Sequence, residues 1–441
     1  PVTLGSSVSA DGASLGRLPD ADRANQASFD PLQTYQWGLA WANAFAGWDR
    51  AQAANPSGSP VIVAVVDSGV QYTHPDLTKR MAPEANWARC DSGTCTQYIS
   101  GNLYTLPWDE VGHGTHVAGI IAAETANTIG VAGISGTRQV LINPVRVFDA
   151  AAYGSSQAIA SGIIWAASHG AKVINFSGAS TTETNAIDNS IDYAASLGIV
   201  VIVSAGNCGD LLTYSLNGCT YQNQPSYPAA YTSTIQGWGK VIPVASLDPG
   251  GYWSPFSTMG QYVSDWGLSA PGGCVLSTYP EGQSQSGVDY SCSSQLGFLP
   301  AAGSGYAYDS GTSMAAPQVA GAAAVLWSTY PSLTRTQVRD SLLSGARSND
   351  YTKQYPWTFG AGALDVNPRV ARRLRRHRPR SPLRRFLGMG QGRLRVVGCH
   401  RSSPDSHTPA RSLRFTLRRA GGRTQSGSSG LGQRIRWHRH R

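Results

Sequence analysis

The chain of 441 residues is 41% hydrophobic and 14% charged and carries a formal net charge of +9. That content suffices for a full core in one large or two smaller domains. No apolar run approaches the ~18 residues of a membrane span, VIVAVV at 61–66 being among the longest. The charge is unevenly spread. Residues 369–441 hold 21 arginines, no lysine and one acid, Asp405, a balance of +20 that leaves −11 for the first 368 residues. An acidic globular body is therefore followed by a basic tail.

In chain order, the opening PVTLGSSVSADG lacks the basic start and apolar stretch of a signal peptide. Either such a peptide has been removed or the chain begins downstream of it. Short, continuous, β-branched runs predict buried strands at 61–66, 139–148, 172–176 and 199–203. Between them GTHVAGIIAAE (114–124), SSQAIASGIIWAASHG (155–170) and ETNAIDNSIDYAASLG (183–198) read as helices, the last two closing on a glycine stop. Strand and helix in alternation predict an α/β fold with a mainly parallel sheet covered on both faces. Cys90 and Cys95, Cys208 and Cys219, and Cys274 and Cys292 fall in Gly/Ser-rich loops, which suits local disulfides and an oxidising compartment. A zinc site is the rival reading, but no Cys-x-x-Cys pair supports it.

Asp-Ser-Gly occurs three times, at Asp67, Asp91 and Asp309. Two such copies mark aspartic proteases, where paired carboxylates share a proton. Those enzymes are built almost wholly of strands, so the alternating pattern weighs against that reading. Asp91 moreover lies in a small loop between two cysteines. Asp67 follows VIVAVV directly, at the carboxyl end of a strand, where open parallel sheets bind ligands. DEVGHGTHVAGIIAAE then sets His113 and His116 at the mouth of a small-residue helix. Two histidines three apart suit a metal, but no further ligand of Glu-x-x-His type accompanies them. The positive end of the helix dipole disfavours a charged imidazole and leaves His113 available as a base. SGTSMAAPQVAGAAAVLW places Ser313 at the start of an Ala/Gly-lined helix, where a serine by itself is commonly an N-cap. In the order Asp, His, Ser the three supply an orienter, a base and a nucleophile.

The stretches VAVVDSGVQYTHPDL, GHGTHVAGIIAA and SGTSMAAPQVAG resemble the three signature motifs of the subtilisin-like serine proteases, of the secreted bacterial type. VIVSAGN at 201–207 is similar to the segment carrying their oxyanion-hole asparagine. The likeness runs from about Asp30 to about Val370 and implies the three-layer fold of that family. It implies Asp67, His113 and Ser313 as triad and Asn207 as oxyanion donor, acting on protein and peptide substrates. By the same match Asp309 has no proton chemistry. KVINFSGAS corresponds to the family's strand and loop for extended substrate. Where subtilisins continue Ser-Leu-Gly-Gly, this chain has Ser177, Gly178, Ala179 and Ser180, so side chains crowd the substrate backbone. Ala205 and Gly206 fall beside Asn207, and Ser226 near the pocket floor. With no acid there, broad specificity favouring large uncharged side chains is expected.

The resemblance also implies a structural calcium ion. Its ligands would be Asp30, Asp76, Asn127 and the loop residues Thr125, Ile129 and Val131, whose carboxylates and carbonyls suit a hard cation. Residues 1–29 are small and polar and read as an N-terminal extension left from an activation segment, the propeptide being an inhibitor in such enzymes. The catalytic domain is expected at 30–368, in a secreted monomer. With 20 net positive charges and no sustained amphipathic period, the Arg-rich segment 369–441 is expected to be disordered. Its arginines alone would argue for nucleic acid, which is not the expected partner of the body.

Overall fold

The computed structural model describes residues 30–209, 218–231, 234–235, 238–283, 290–348, 353–367 and 434–436. The segment 1–29 and the rest of 369–441 lie outside the described residues. The chain divides into two units, Pro1–Ala371 with Gly432–Arg441, and Arg372–Leu431, the second of which also lies outside them.

An eight-stranded sheet forms the centre. Its strands are β1 (Val61–Asp67), β2 (Ala88–Arg89), β3 (Thr96–Gln97), β4 (Val140–Arg146), β6 (Val173–Phe176), β7 (Val200–Ser204), β8 (Ile242–Leu247) and β9 (Leu268–Pro271). Between β4 and β6 in the chain lies the short β5 (Tyr153–Ser155). The sheet order is β9-β8-β7-β6-β1-β4-β2-β3, every neighbouring pair parallel except β2 with β3. β1 runs beside β4 from Val61 opposite Val140 to Asp67 opposite Arg146. Outside the sheet, β10 (Val275–Thr278) pairs antiparallel with β11 (Tyr306–Asp309). In the Arg-rich segment, β12 (Arg434–Arg436) pairs antiparallel with β5.

Among the described helices, α1 (His113–Ala122), α2 (Ser156–Ser168), α3 (Asn185–Ser196) and α4 (Thr312–Thr329) pack on the sheet. β1 is apolar from Val61 to Val66 because both of its faces are covered. Val61, Val63 and Val65 join Val117 and Ile121 of α1 and Ala315, Val319 and Ala323 of α4 in one core cluster. Ala64 and Val66 join Ile159 and Ile163 of α2 and Ile187 and Ile191 of α3 in the other. The three-layer α/β architecture expected from the alternation is thus present. All 18 residues of α4 are buried, and its Ala and Gly surface lets it lie close. A Cβ on Gly321 would stand 2.8 Å from the Ile134 side chain. No helix among the described residues is long and apolar enough to cross a membrane.

The three expected cysteine pairs are bonded: Cys90 to Cys95, Cys208 to Cys219 and Cys274 to Cys292. β8 and β9 were not foreseen. IPVASL and LSAP carry Ser246, Ser269 and two prolines, so neither reads as an apolar run, and Pro243 stands in an inner strand although it has no N–H to donate.

Candidate active site

Parallel strands carry their carboxyl ends to one edge of the sheet, and the motifs of the sequence meet there. Asp67 is the last residue of β1 and is fully buried. His113 opens α1 after Gly112, whose φ of +95° makes the sharp entry into the helix. A Cβ on Gly114 would strike the Gly69 carbonyl, so α1 begins in direct contact with the turn after β1. That closeness puts His113 Nδ1 2.7 Å from Asp67 Oδ1. The same oxygen accepts the Ser68 N–H at 2.7 Å, while Asp67 Oδ2 is buried without a hydrogen-bond partner among the described residues. Burial pushes the Asp67 carboxyl up to about 8, against the pull of its bonds from Ser68. A carboxylate and an imidazole held this close in a dry site titrate as one pair.

Ser313 is the second residue of α4 and is 8% exposed. Its Oγ donates to the Ser177 carbonyl at 3.0 Å, and Ser177 Oγ donates back to the Ser313 carbonyl at 2.8 Å. The return bond has a local cause. The α-helical donor to that carbonyl would be the amide of residue 317, and Pro317 has no N–H. Ser177 sits just past β6, so these reciprocal bonds fasten the start of α4 to the sheet.

Asn207 follows β7. Its Oδ1 accepts from the Thr312 N–H at 3.1 Å and from Thr312 Oγ1 at 2.8 Å. Thr312 Oγ1 in turn accepts the Gly206 N–H at 3.1 Å. These bonds fix the orientation of the Asn207 side chain against the start of α4. Gly206 has φ +101°, and a Cβ there would run into the Ser226 side chain, so those two residues are neighbours. Ala205 accepts from Tyr262 Oη at 3.2 Å. Gly178 accepts from Ser204 Oγ at 3.3 Å, and Ser180 bridges Tyr227. The substrate residues named from the sequence thus split between the β6 end (Ser177, Gly178, Ala179) and the β7 end with Ser226.

The remaining histidine and aspartates do other things. His116 Nε2 faces the Val275 and Ala307 carbonyls at 3.1 and 3.0 Å, and burial pushes its imidazole down to about 4, which suits a neutral structural residue. Asp91 pairs with Arg89 and Arg146. Asp309 accepts from the Ser310 N–H at 2.8 Å.

Away from this edge, Asp30, Asp76 and Asn127 come together. Asp30 accepts from the backbone N–H groups of Ala126, Asn127 and Thr128. Asp76 accepts from Asn127 Nδ2 at 2.8 Å, the Val131 N–H at 2.9 Å and Tyr306 Oη at 3.0 Å. Burial pushes Asp76 up to about 6, and the Asp30 charge adds to the effect. Neither carboxylate has a salt-bridge partner among the described residues. No cluster of three or more His, Cys, Asp or Glu side chains occurs among them either. A cation here would draw on two carboxylates supplemented by amide and carbonyl oxygens, a donor set that fits a hard ion. Thr125, Ile129 and Val131 lie on the loop that wraps these carboxylates, Ile129 donating its N–H to Asn127 Oδ1 at 2.8 Å.

Sequence reasoning passed over Asp109, Ser68, Thr312 and Pro317. The signals were an acid four residues before His113, hydroxyls next to Asp67 and Ser313, and a proline four residues beyond Ser313.

Comparison with known proteins gives the family. A model of the Subtilase family matches residues 58–363. Thermitase of Thermoactinomyces vulgaris is 36% identical over 67% of this chain and 84% of its own length. Subtilisin DY of Bacillus licheniformis is 34% identical over 76% of this chain and 98% of its own. Among solved structures, a protease from Pseudoalteromonas arctica superposes with a TM-score of 0.55 at 28% identity, covering 78% of this chain and 98% of that one. The chain belongs to the subtilase family and is a serine endopeptidase.

Proposed function

We propose that Asp67, His113 and Ser313 form the catalytic triad of a secreted endopeptidase, with Asn207 as oxyanion donor. The observation that carries the reading is the buried 2.7 Å contact of His113 Nδ1 with Asp67 Oδ1 at the strand ends from which Ser177 reaches Ser313. Ser313 Oγ attacks the scissile carbonyl carbon as its proton passes to His113, and Asp67 holds the imidazole in the competent tautomer. The oxyanion that forms is met by the Asn207 NH2 group and the Ser313 N–H at the start of α4. The C–N bond then breaks as His113 returns the proton to the leaving amine, and water repeats the sequence on the acyl-enzyme.

Extended substrate would lie along Ser177, Gly178 and Ala179, with Ala205, Gly206 and Ser226 around the specificity pocket. The absence of an acid among these six residues supports a preference for large uncharged side chains. Asp30, Asp76 and Asn127, with Thr125, Ile129 and Val131, would hold a calcium ion, whose charge would offset the two buried carboxylates. Three disulfides support an extracellular setting. The working domain is taken as 30–368, acting as a monomer, with an N-terminal propeptide as its inhibitor.

Fluorophosphonate labelling with peptide mapping tests the reading: proteolysis should stop with Ser313 as the modified residue, while pepstatin does nothing. Full activity in Ser313→Ala would overturn it.

A further inference from the structure

Asp109 is fully buried, and the triad does not use it. Its carboxylate accepts five hydrogen bonds. Oδ1 takes Ser68 Oγ at 2.9 Å, the Val111 N–H at 3.0 Å and the Gly112 N–H at 2.7 Å. Oδ2 takes the Thr115 N–H at 2.8 Å and Thr115 Oγ1 at 2.7 Å.

The partners themselves make a second layer. Ser68 Oγ accepts the Gly114 N–H at 2.9 Å, and the Ser68 N–H donates at 2.7 Å to the Asp67 oxygen that meets His113. Thr115 Oγ1 accepts the Gln71 N–H at 2.9 Å. Two struts therefore join the turn after β1 to the first turn of α1, one through Ser68 and one through Thr115, and both end on Asp109.

We propose, resting on the triad reading above, that Asp109 is a positioning residue for the hydrolytic reaction. It sets Asp67 and His113 in register by anchoring the turn that carries one and the helix that carries the other. A carboxylate is required because all five partners are donors, and an amide would turn its own N–H groups against some of them. Charge-assisted bonds of this kind are short and directional, and misplacing a catalytic group by about 1 Å can lower turnover roughly a hundredfold. A simple helix cap would need only the α1 side of this network. Ser68 and Gln71 lie on the other side.

The test compares Asp109→Asn and Ser68→Ala with the unaltered chain. It measures kcat and KM on a peptide amide, normalised to sites titrated by a fluorophosphonate. The expected result is a kcat per titrated site about tenfold or more lower in both variants, with KM within about twofold. The proton resonance of His113 Nδ1–H should move in the same variants. Should Asp109→Asn fail to fold, Ser68→Ala decides alone, since it removes one strut and keeps the bonds of Asp109 to α1. A lower melting temperature with kcat per titrated site and the Nδ1–H signal unchanged would mean a structural cap and overturn the proposal. Failure of the triad reading is seen separately, as turnover surviving in His113→Ala.

Discussion

Replacing Ser177 by Ala removes the one side chain whose Oγ donates to the Ser313 carbonyl, at 2.8 Å, where Pro317 cannot. It also strips Asn175 Nδ2 of its acceptor at 2.9 Å, in a residue whose Oδ1 already lacks a partner among the described residues. Each buried polar group left unpaired costs about 1–3 kcal/mol, so with two such groups the folded state should lose about 2–6 kcal/mol in total. Pro317→Ala in the same chain supplies the helical N–H that reaches Ser313 O and restores one of the two partners. The double variant should therefore be less destabilised than the sum of the singles, by about 1–3 kcal/mol. Urea unfolding of all four chains, each carrying Ser313→Ala to prevent autolysis, measures the coupling. Additivity within about 0.5 kcal/mol would refute the argument that Ser177 substitutes for the missing proline N–H.

Because burial pushes Asp67 up to about 8, its pair with His113 keeps the extra proton to higher pH than a free imidazole, which titrates near ~6.5. kcat/KM should thus rise on a limb above that value and be lost as pH falls through it; a limb at or below pH 6.5 contradicts the assignment. Asn207→Ala should lower kcat by about 10²–10³ with little change in KM, a magnitude carried over from subtilisin, where the corresponding donor has been removed; a loss below about fivefold would remove Asn207 from the role. If Asp30, Asp76 and Asn127 hold calcium, the ion stabilises the fold by about 2.7 kcal/mol at a hundred times its dissociation constant. Chelation should then lower the melting temperature, and an unchanged melting curve after verified calcium removal counts against the site. A chain ending at Pro368 should cleave peptides like the full one and lose only salt-sensitive binding to polyanions; its inactivity would move the domain boundary.

Four central strands were legible because parallel strands covered on both faces form short, mainly apolar runs, as Val63 and Val66 show from opposite sides of β1. β8 and β9 escaped because serines and prolines interrupt their apolar pattern, Ser246 being satisfied by the hydroxyls of Ser254 and Ser257 in the loop that follows. The positions of Asp67, His113, Asn207 and Ser313 were legible too, each standing where a strand ends or a helix begins. What surrounds them was not. The weight of Asp109 comes from Ser68, 41 residues before it, and that of Ser177 from a serine 136 residues after it. No periodicity or local propensity encodes a partner at such separations.

The burial of α4 bears on how the molecule reaches its working state. The helix carries no exposed face, and it packs against β1, β6, β7, β8 and β9, which enter the chain between residues 61 and 271. Such a segment finds little reason to be helical before those strands have assembled, and pairings this distant in sequence form slowly. Ser313, the proposed nucleophile, rides at its first turn, so it should reach its place late in folding. Unfinished copies are substrates that cannot yet cut, exposed to finished ones that can. The yield of active molecules on refolding should accordingly fall as protein concentration rises, even where aggregation is suppressed, and recover when the finished copies are held inhibited.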